Sequence, residues 1–531
     1  MVCCAFGFLL PIVLGLGNTA GLVCIVLIMG ILLALEVGVE IWAEGKLHGW
    51  DFQAPKLQVD WHNFATEGGK RAMNFVGAEV SSHEQFFTVL VAVSVFSINV
   101  AFVQKQDPWT YILTFAIFYG VLEASLTYSS RFSVEDATHK LKWTAYEIIF
   151  LLMLEGLTMD ASGDSKLFKV TTAAMFFLMA IAFFGRVAST VPRARKFGAY
   201  YAVFYVLVGC LHAARCFFPD LGAPLLWIYA GLWVMATPYL HLLLMPREDG
   251  SDEAARALAA FDVPANVDYI ISRFNGLFME ILTVSIIVPN AFYPGHPEQN
   301  LAGRRAEESE DEIPYKSLVF WADFLVALLA IVLKFAIFDI QPVDHDHHVF
   351  VSGDRAGEVL FLWLYPVTSL GTASTGAGMA MMIPSIGLDG FASTTVFAQR
   401  TLCFGAALTW LSLTATKKLH SPSDTVMSHN GQIYTQLAGA LGVLLPLLVN
   451  MGDFAVLAFV VCMYIAVVVG QEVVMDVFKS DGDKVDSSTG SEGARIRAPS
   501  GKGRRFTLLA QNSIDGKAGG ALELGAIEGH H

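Results

Sequence analysis

Residues 167–190 read LFKVTTAAMFFLMAIAFFGRVAST. Between Lys169 near the start and Arg186 near the end no side chain ionises. An apolar run of roughly 20 residues is the length that crosses the hydrocarbon core of a bilayer as a helix. An open strand there would leave its backbone groups without partners in lipid, so the run is read as an α-helix.

The same kind of block recurs on both sides of it. One lies at about 19–42, and the next at about 85–103, 109–128 and 143–160. After 167–190 come about 198–217, 224–245, 273–293, 316–338, 357–383, 396–416, 432–448 and 453–475. The expected fold is therefore all-α, a polytopic transmembrane bundle of about 12–13 spans. The alternating ten-residue segments of a β-barrel are not seen. The chain of 531 residues is 54% hydrophobic and only 15% charged, far below the share a soluble domain carries. The formal net charge is -14, drawn largely from Glu307–Glu312 and Asp481–Glu492, which argues against nucleic acid as a partner. The Cys residues lie mostly inside apolar blocks, as Cys24, Cys210, Cys216, Cys403 and Cys462 do, without metal or disulfide spacing. Met1–Leu16 is apolar but lacks the basic start of a signal peptide.

Lys and Arg set the orientation. Lys70, Arg71, Arg131, Lys140, Lys142, Arg193, Arg195, Lys196, Arg247, Arg256, Lys417 and Lys418 all fall in loops that follow odd-numbered spans. Those loops are expected on the cytoplasmic side. Residues 1–42 then form an apolar segment with the first span, 43–84 a cytoplasmic linker, and 85–475 the membrane domain. Residues 476–531, rich in Gly, Ser and Asp, form a cytoplasmic tail expected to be disordered.

Ionisable groups inside spans cost roughly 2.5–3.5 kcal/mol each at the helix centre and so carry information. The candidates are Glu123, Glu155, His212, Arg215, His241, Glu280 and Asp323, with Arg186, Lys334 and Arg400 nearer span ends. Glu155 and Glu280 are the deepest acids on these boundaries. His212 and Arg215 are three apart and share a helix face, so one acid could serve both. Two readings stand side by side: a polar route for protons or small ions, or buried pairs that fix helix register. The run Asp344–His345–Asp346–His347–His348 has ligand-type side chains, but a contiguous exposed loop is read as solvated, and no metal or cofactor is expected. The small residues from Gly371 to Gly378 are read as permitting close helix packing. Hydrolase, zinc-protease and nucleotide-loop signatures are absent.

Four stretches carry a family resemblance. Glu84-Gln85-Phe86-Phe87 precedes an apolar run, and Arg131-Phe132-Ser133-Val134-Glu135-Asp136 follows the third span. Ser272-Arg273-Phe274-Asn275-Gly276-Leu277-Phe278 opens the eighth, and Tyr365-Pro366-Val367-Thr368-Ser369-Leu370-Gly371 lies in the tenth. In type and order they resemble motifs of the low temperature requirement A (LtrA) family of membrane proteins. Thr88 stands where that family has Asp, Ser272 where it has Glu, Val284 and Ser285 where it has Gly-Glu, and Tyr365 where it has His. The resemblance is to a divergent member, and it implies an architecture more than a reaction.

Glu84–Ser94 also aligns without gaps on Asn275–Ser285, setting Phe87 on Phe278 and Ser94 on Ser285. The two spans are six apart and run in the same direction, which suits two parallel six-helix halves after an extra first helix. The functional expectation is a multi-pass integral membrane protein that transports or conducts a small ion or proton. A membrane enzyme acting on lipid, or a non-transporting protein of low-temperature adaptation, is the alternative. The expected partners are the bilayer and the ion; assembly with a second copy of the chain is left open.

Overall fold

The computed structural model describes residues 55–57, 82–133, 137–159, 165–243, 263, 266–292, 312–338, 349, 355–389, 394–420, 426–449 and 451–486. The first expected span, most of the 43–84 linker, residues 293–311, Glu135 and Asp136, the 344–348 loop and nearly all of the tail lie outside the described residues. The chain divides into a unit of Met1–Lys479, which holds all the packing below, and a second unit of Ser480–His531.

The described fold is helical. In chain order the helices are α1 (Ser82–Lys105), α2 (Pro108–Ser129), α3 (Ala137–Met159), α4 (Lys166–Leu178), α5 (Arg186–Thr190) and α6 (Arg195–Phe217). Then follow α7 (Gly222–Leu243), α8 (Val267–Phe292), α9 (Glu312–Phe338), α10 (Arg355–Asp389), α11 (Val396–Leu419), α12 (Val426–Gly442) and α13 (Asp453–Asp486). The exception is a two-residue antiparallel ladder, Lys56–Leu57 (β1) with Phe132–Ser133 (β2), which pairs Leu57 with the buried Phe132. Among the described residues, seven helical stretches are long and apolar enough to cross a membrane. They are His83–Lys105, Pro108–Ser129, Lys166–Thr190, Pro192–Phe217, Leu318–Ile337, His429–Leu448 and Asp453–Val473.

Several helices outrun their apolar blocks, because a helix continues into water once its backbone bonds are running. α3 begins six residues before the apolar block, with His139, Lys140 and Lys142 in its opening turns. α10 carries Pro366 and Pro384 inside its length. Local chemistry sets the starts. Asp107 caps α2 by accepting from Trp109 N at 3.1 Å and Thr110 Oγ1 at 2.5 Å, with Pro108 at the first helical position. The hydrogen bond from Thr110 holds the Asp107 carboxyl below its usual range. Ser165 caps α4 through Phe168 N at 3.1 Å.

Between α4 and α5 the helix widens to a π segment, Met179–Gly185. One extra residue per turn lets consecutive rings face two different clusters. Phe183 meets Tyr128, Trp143 and Tyr146, while Phe184 meets Tyr128, Phe197, Tyr201 and Tyr205.

Neighbour relations repeat along the chain. α1 packs on α2 and α3, α3 on α4, and α4 on α6. In the same order α8 packs on α9 and α10, α10 on α11, and α11 on α12. The two sets meet where α1 packs on α8 and α10. There Asn99 Nδ2 donates to Ala373 O at 3.2 Å and accepts from Tyr111 Oη at 2.9 Å. α10 and α11 approach most closely. A Cβ on Gly378 would lie 2.5 Å from Leu402 N, and one on Gly405 would lie 2.6 Å from Thr375 N. The small-residue run from Gly371 to Gly378 thus serves close packing, since backbones can meet only where no Cβ intervenes.

Candidate functional site

α2 and α7 bring the first ionisable candidate inside. Trp233 Nε1 on α7 donates to the Glu123 carboxylate on α2. The Trp233 ring also meets Tyr119 and Trp363, at centroid distances of 6.2 and 4.7 Å. One turn earlier on α7, Tyr229 Oη donates to Ala116 O at 3.1 Å. That contact requires Gly120, because a Cβ there would lie 2.2 Å from Tyr229 Oη. Tyr229 in turn meets the His212 ring edge-on at 4.8 Å, and Phe176 stacks on His212 at 5.6 Å and also meets Tyr229 at 6.0 Å.

His212 and Arg215 sit 3.1 Å apart, Nδ1 to Nη1, both buried on α6. A guanidinium can only donate, so Nδ1 accepts and the ring proton sits on Nε2. His212 Nε2 is enclosed and has no hydrogen-bond partner among the described residues. The acid expected to serve this pair is not Glu123, whose carboxylate is held by Trp233. A polar and aromatic seam therefore runs Arg215, His212, Tyr229, Trp233, Glu123 through the first group of helices.

The remaining sequence candidates do not join it. Glu155 on α3, Glu280 on α8 and Asp323 on α9 are half-buried and form no hydrogen bond or ion pair with Glu123, His212 or Arg215. Glu155 Oε1 and Asp323 Oδ1 are enclosed without a partner among the described residues. Glu147, not singled out from the sequence, is fully buried, whereas Glu155 and Glu280 are half-buried. His241 lies in α7, with its side chain outside the described residues.

The motif residues converge at the end of the bundle that the Lys and Arg pattern assigns to the cytoplasm. Arg273 Nη1 at the start of α8 donates to Glu84 O at the start of α1, 189 residues away. Phe274 stacks on Tyr365 at 3.7 Å, and Phe278 packs on the same ring. Arg131 Nε donates to Val263 O at 3.0 Å, and its guanidinium lies 5.2 Å from the Phe197 ring centroid. Phe132 packs on Tyr128 and Phe197. Asn266 N donates to Ser130 O at 2.7 Å, tying the entry of α8 to the end of α2. Phe87 sits among Trp143, Tyr146 and Phe150, and Phe86 packs against the same core. Gly371 lies at the α10–α11 contact, where a Cβ would be 2.8 Å from Thr409 N.

Sequence reasoning misses two buried acids. Glu147 on α3 lies 3.5 Å from His83 Nδ1 at the start of α1. It falls inside the expected 143–160 span, so its position was a usable signal. The second is Asp453, the first residue of α13 and fully buried. Its carboxylate accepts from Thr395 N at 2.9 Å, Thr395 Oγ1 at 2.8 Å, Ser385 Oγ at 2.8 Å and Gln399 Nε2 at 2.7 Å. Asp453 thereby ties α13 to the end of α10 and the start of α11.

His420, just beyond α11, accepts at Nδ1 from Val349 N at 3.3 Å. Burial, then His429 and Lys417, push its pKa down to about 4. The unfolded chain holds a proton on this ring below its ordinary value of about 6.5, while the folded chain resists it down to about 4. Stability from His420 is therefore present above pH 6.5 and is lost as pH falls toward 4. A His420→Asn variant is expected to show a flatter melting-temperature profile between those values. Equal slopes for the variant and the parent would remove His420 from the account.

Compared with family models, with curated proteins and with solved structures, the chain matches none.

Proposed function

We propose that this chain is a divergent LtrA-like membrane protein of about 12–13 spans that carries protons or a small cation across the bilayer. The observation that carries the reading is the half-buried Glu123 carboxylate, held by Trp233 in a seam that continues through Tyr229 to His212 and Arg215. A carboxyl group in that setting has no packing role an apolar side chain would not fill better, and ionisable groups kept inside membranes at such cost mark pathways. The repeated neighbour order supports two parallel six-helix halves, with α1 and α8 in equivalent places. A lipid-directed enzyme is the second reading, favoured by the contacts of Arg273 with Glu84 O, Arg131 with Val263 O and Glu147 with His83 near helix ends.

The test is proton and cation flux into liposomes carrying the purified protein, beside Glu123→Gln. Protein-dependent flux is expected, reduced in the variant by about tenfold or more, as for loss of one proton-carrying group. Liposomes with the protein that leak no faster than empty ones, for every cation and pH gradient applied, would end this reading in favour of the lipid-directed one.

A further inference from the structure

Glu147 has no exposed surface, whereas His83, whose Nδ1 lies 3.5 Å from its Oε1, keeps 18% of its side chain exposed. His83 opens α1, at the cytoplasmic boundary of the first described span. Phe87, one turn on along α1, and Tyr146 and Phe150, flanking Glu147 on α3, form a buried aromatic cluster. An imidazole titrates in the range of cytoplasmic pH. A carboxylate within ion-pair reach titrates with it as one unit. The arrangement thus has an outward group that samples the aqueous side and an inward group that cannot.

We infer that His83 and Glu147 are the proton-exchange pair at the cytoplasmic end of the bundle; this rests on the proton-pathway reading above. The step is a simple transfer. An imidazolium proton on Nδ1 leaves, the N–H bond breaks, an O–H bond forms at Glu147 Oε1, and neutral imidazole and a neutral carboxyl remain. The reverse returns the proton to the cytoplasmic side. The packed elements carry Lys105, Glu123, Glu155 and Glu280 further along their lengths, together with these groups. α1 brings Glu84, α8 brings Tyr269 and Arg273, and the turn after α2 brings Arg131. α3 itself carries His139, Lys140 and Lys142 in its opening turns, and α4 has Lys166 and Lys169 at its far end. Arg273 is engaged with Glu84 O, and Arg131 with Val263 O.

The experiment uses the full chain, with His83→Gln and Glu147→Gln, and two readouts. Infrared difference spectra across pH read carboxyl protonation without needing transport, and liposome flux reads the pathway. In the parent a protonated-carboxyl band should titrate, and Glu147→Gln should remove it. In His83→Gln the carboxylate loses its neighbouring imidazole, so the pH range over which the band titrates should differ from the parent's. Flux should fall about tenfold in both variants. A band that Glu147→Gln leaves intact, or titration and flux unchanged in His83→Gln, would overturn the inference. If the parent shows the titrating band but no flux, the pathway reading falls and the pair stands as a proton-binding site. If flux persists without a His83-dependent band, the pair falls and the pathway stands. Should Glu147→Gln fail to fold, the His83→Gln shift alone decides.

Discussion

Gly378→Leu is expected to destabilise the protein by about 3 kcal/mol or more, the upper end of what overpacking costs. The Cβ alone would lie 2.5 Å from Leu402 N and 2.7 Å from Leu402 Cα. Neither contact is the tip of a flexible side chain, so α10 and α11 must separate to admit it. Separation spreads along the seam, because Gly371 and Gly405 make the same kind of backbone approach to Thr409 and Thr375. Gly276→Ala is the internal control. It lies on the exposed side of α8 with nothing within 4 Å of its Cβ position. Removing a helical glycine there should stabilise by up to about 1 kcal/mol. Thermal unfolding in detergent measures both; a loss for Gly378→Leu no larger than a few tenths of a kcal/mol would contradict the close α10–α11 contact.

Asp453→Ala is expected to cost roughly 3–5 kcal/mol, since it strands several donors at once. Ser385, Thr395 and Gln399 all point at the carboxylate, and Gln399 Nε2 also reaches Met451 O at 3.0 Å. The negative charge also sits at the N-terminus of α13, where the helix dipole favours it. Asp453→Asn keeps the volume but replaces an accepting oxygen with a donor, so a loss of about half that size is expected. A melting temperature unchanged in Asp453→Ala would show that the three helix ends are held by other contacts.

The membrane helices were legible because lipid leaves few backbone options and each block is long and apolar. The facing of those helices was not. A helix apolar on all sides has no stripe to orient it, so Phe183 and Phe184 gave no hint that both are buried. The π segment that turns them inward adds one residue to one turn, which leaves no trace in such a pattern. Glu123 was legible as an ionisable residue inside a span, but its partner Trp233 is 110 residues away and only the fold joins them. Asp453 opens its expected span and so reads as a solvated end; its partners, 54 to 68 residues earlier, enclose it. The Gly371–Gly378 run was legible, because small residues at helical spacing have few uses other than close approach.

The account depends on the chain crossing the bilayer repeatedly, with the motif cluster on the cytoplasmic side. Single cysteines placed at Asp107, between α1 and α2, and at Arg193, between α5 and α6, test this most directly. All seven native cysteines are first changed to Ser. With an impermeant thiol reagent applied to intact cells, Asp107→Cys should label from outside, and Arg193→Cys only after the membrane is opened. Labelling of both positions from the same side would contradict the account.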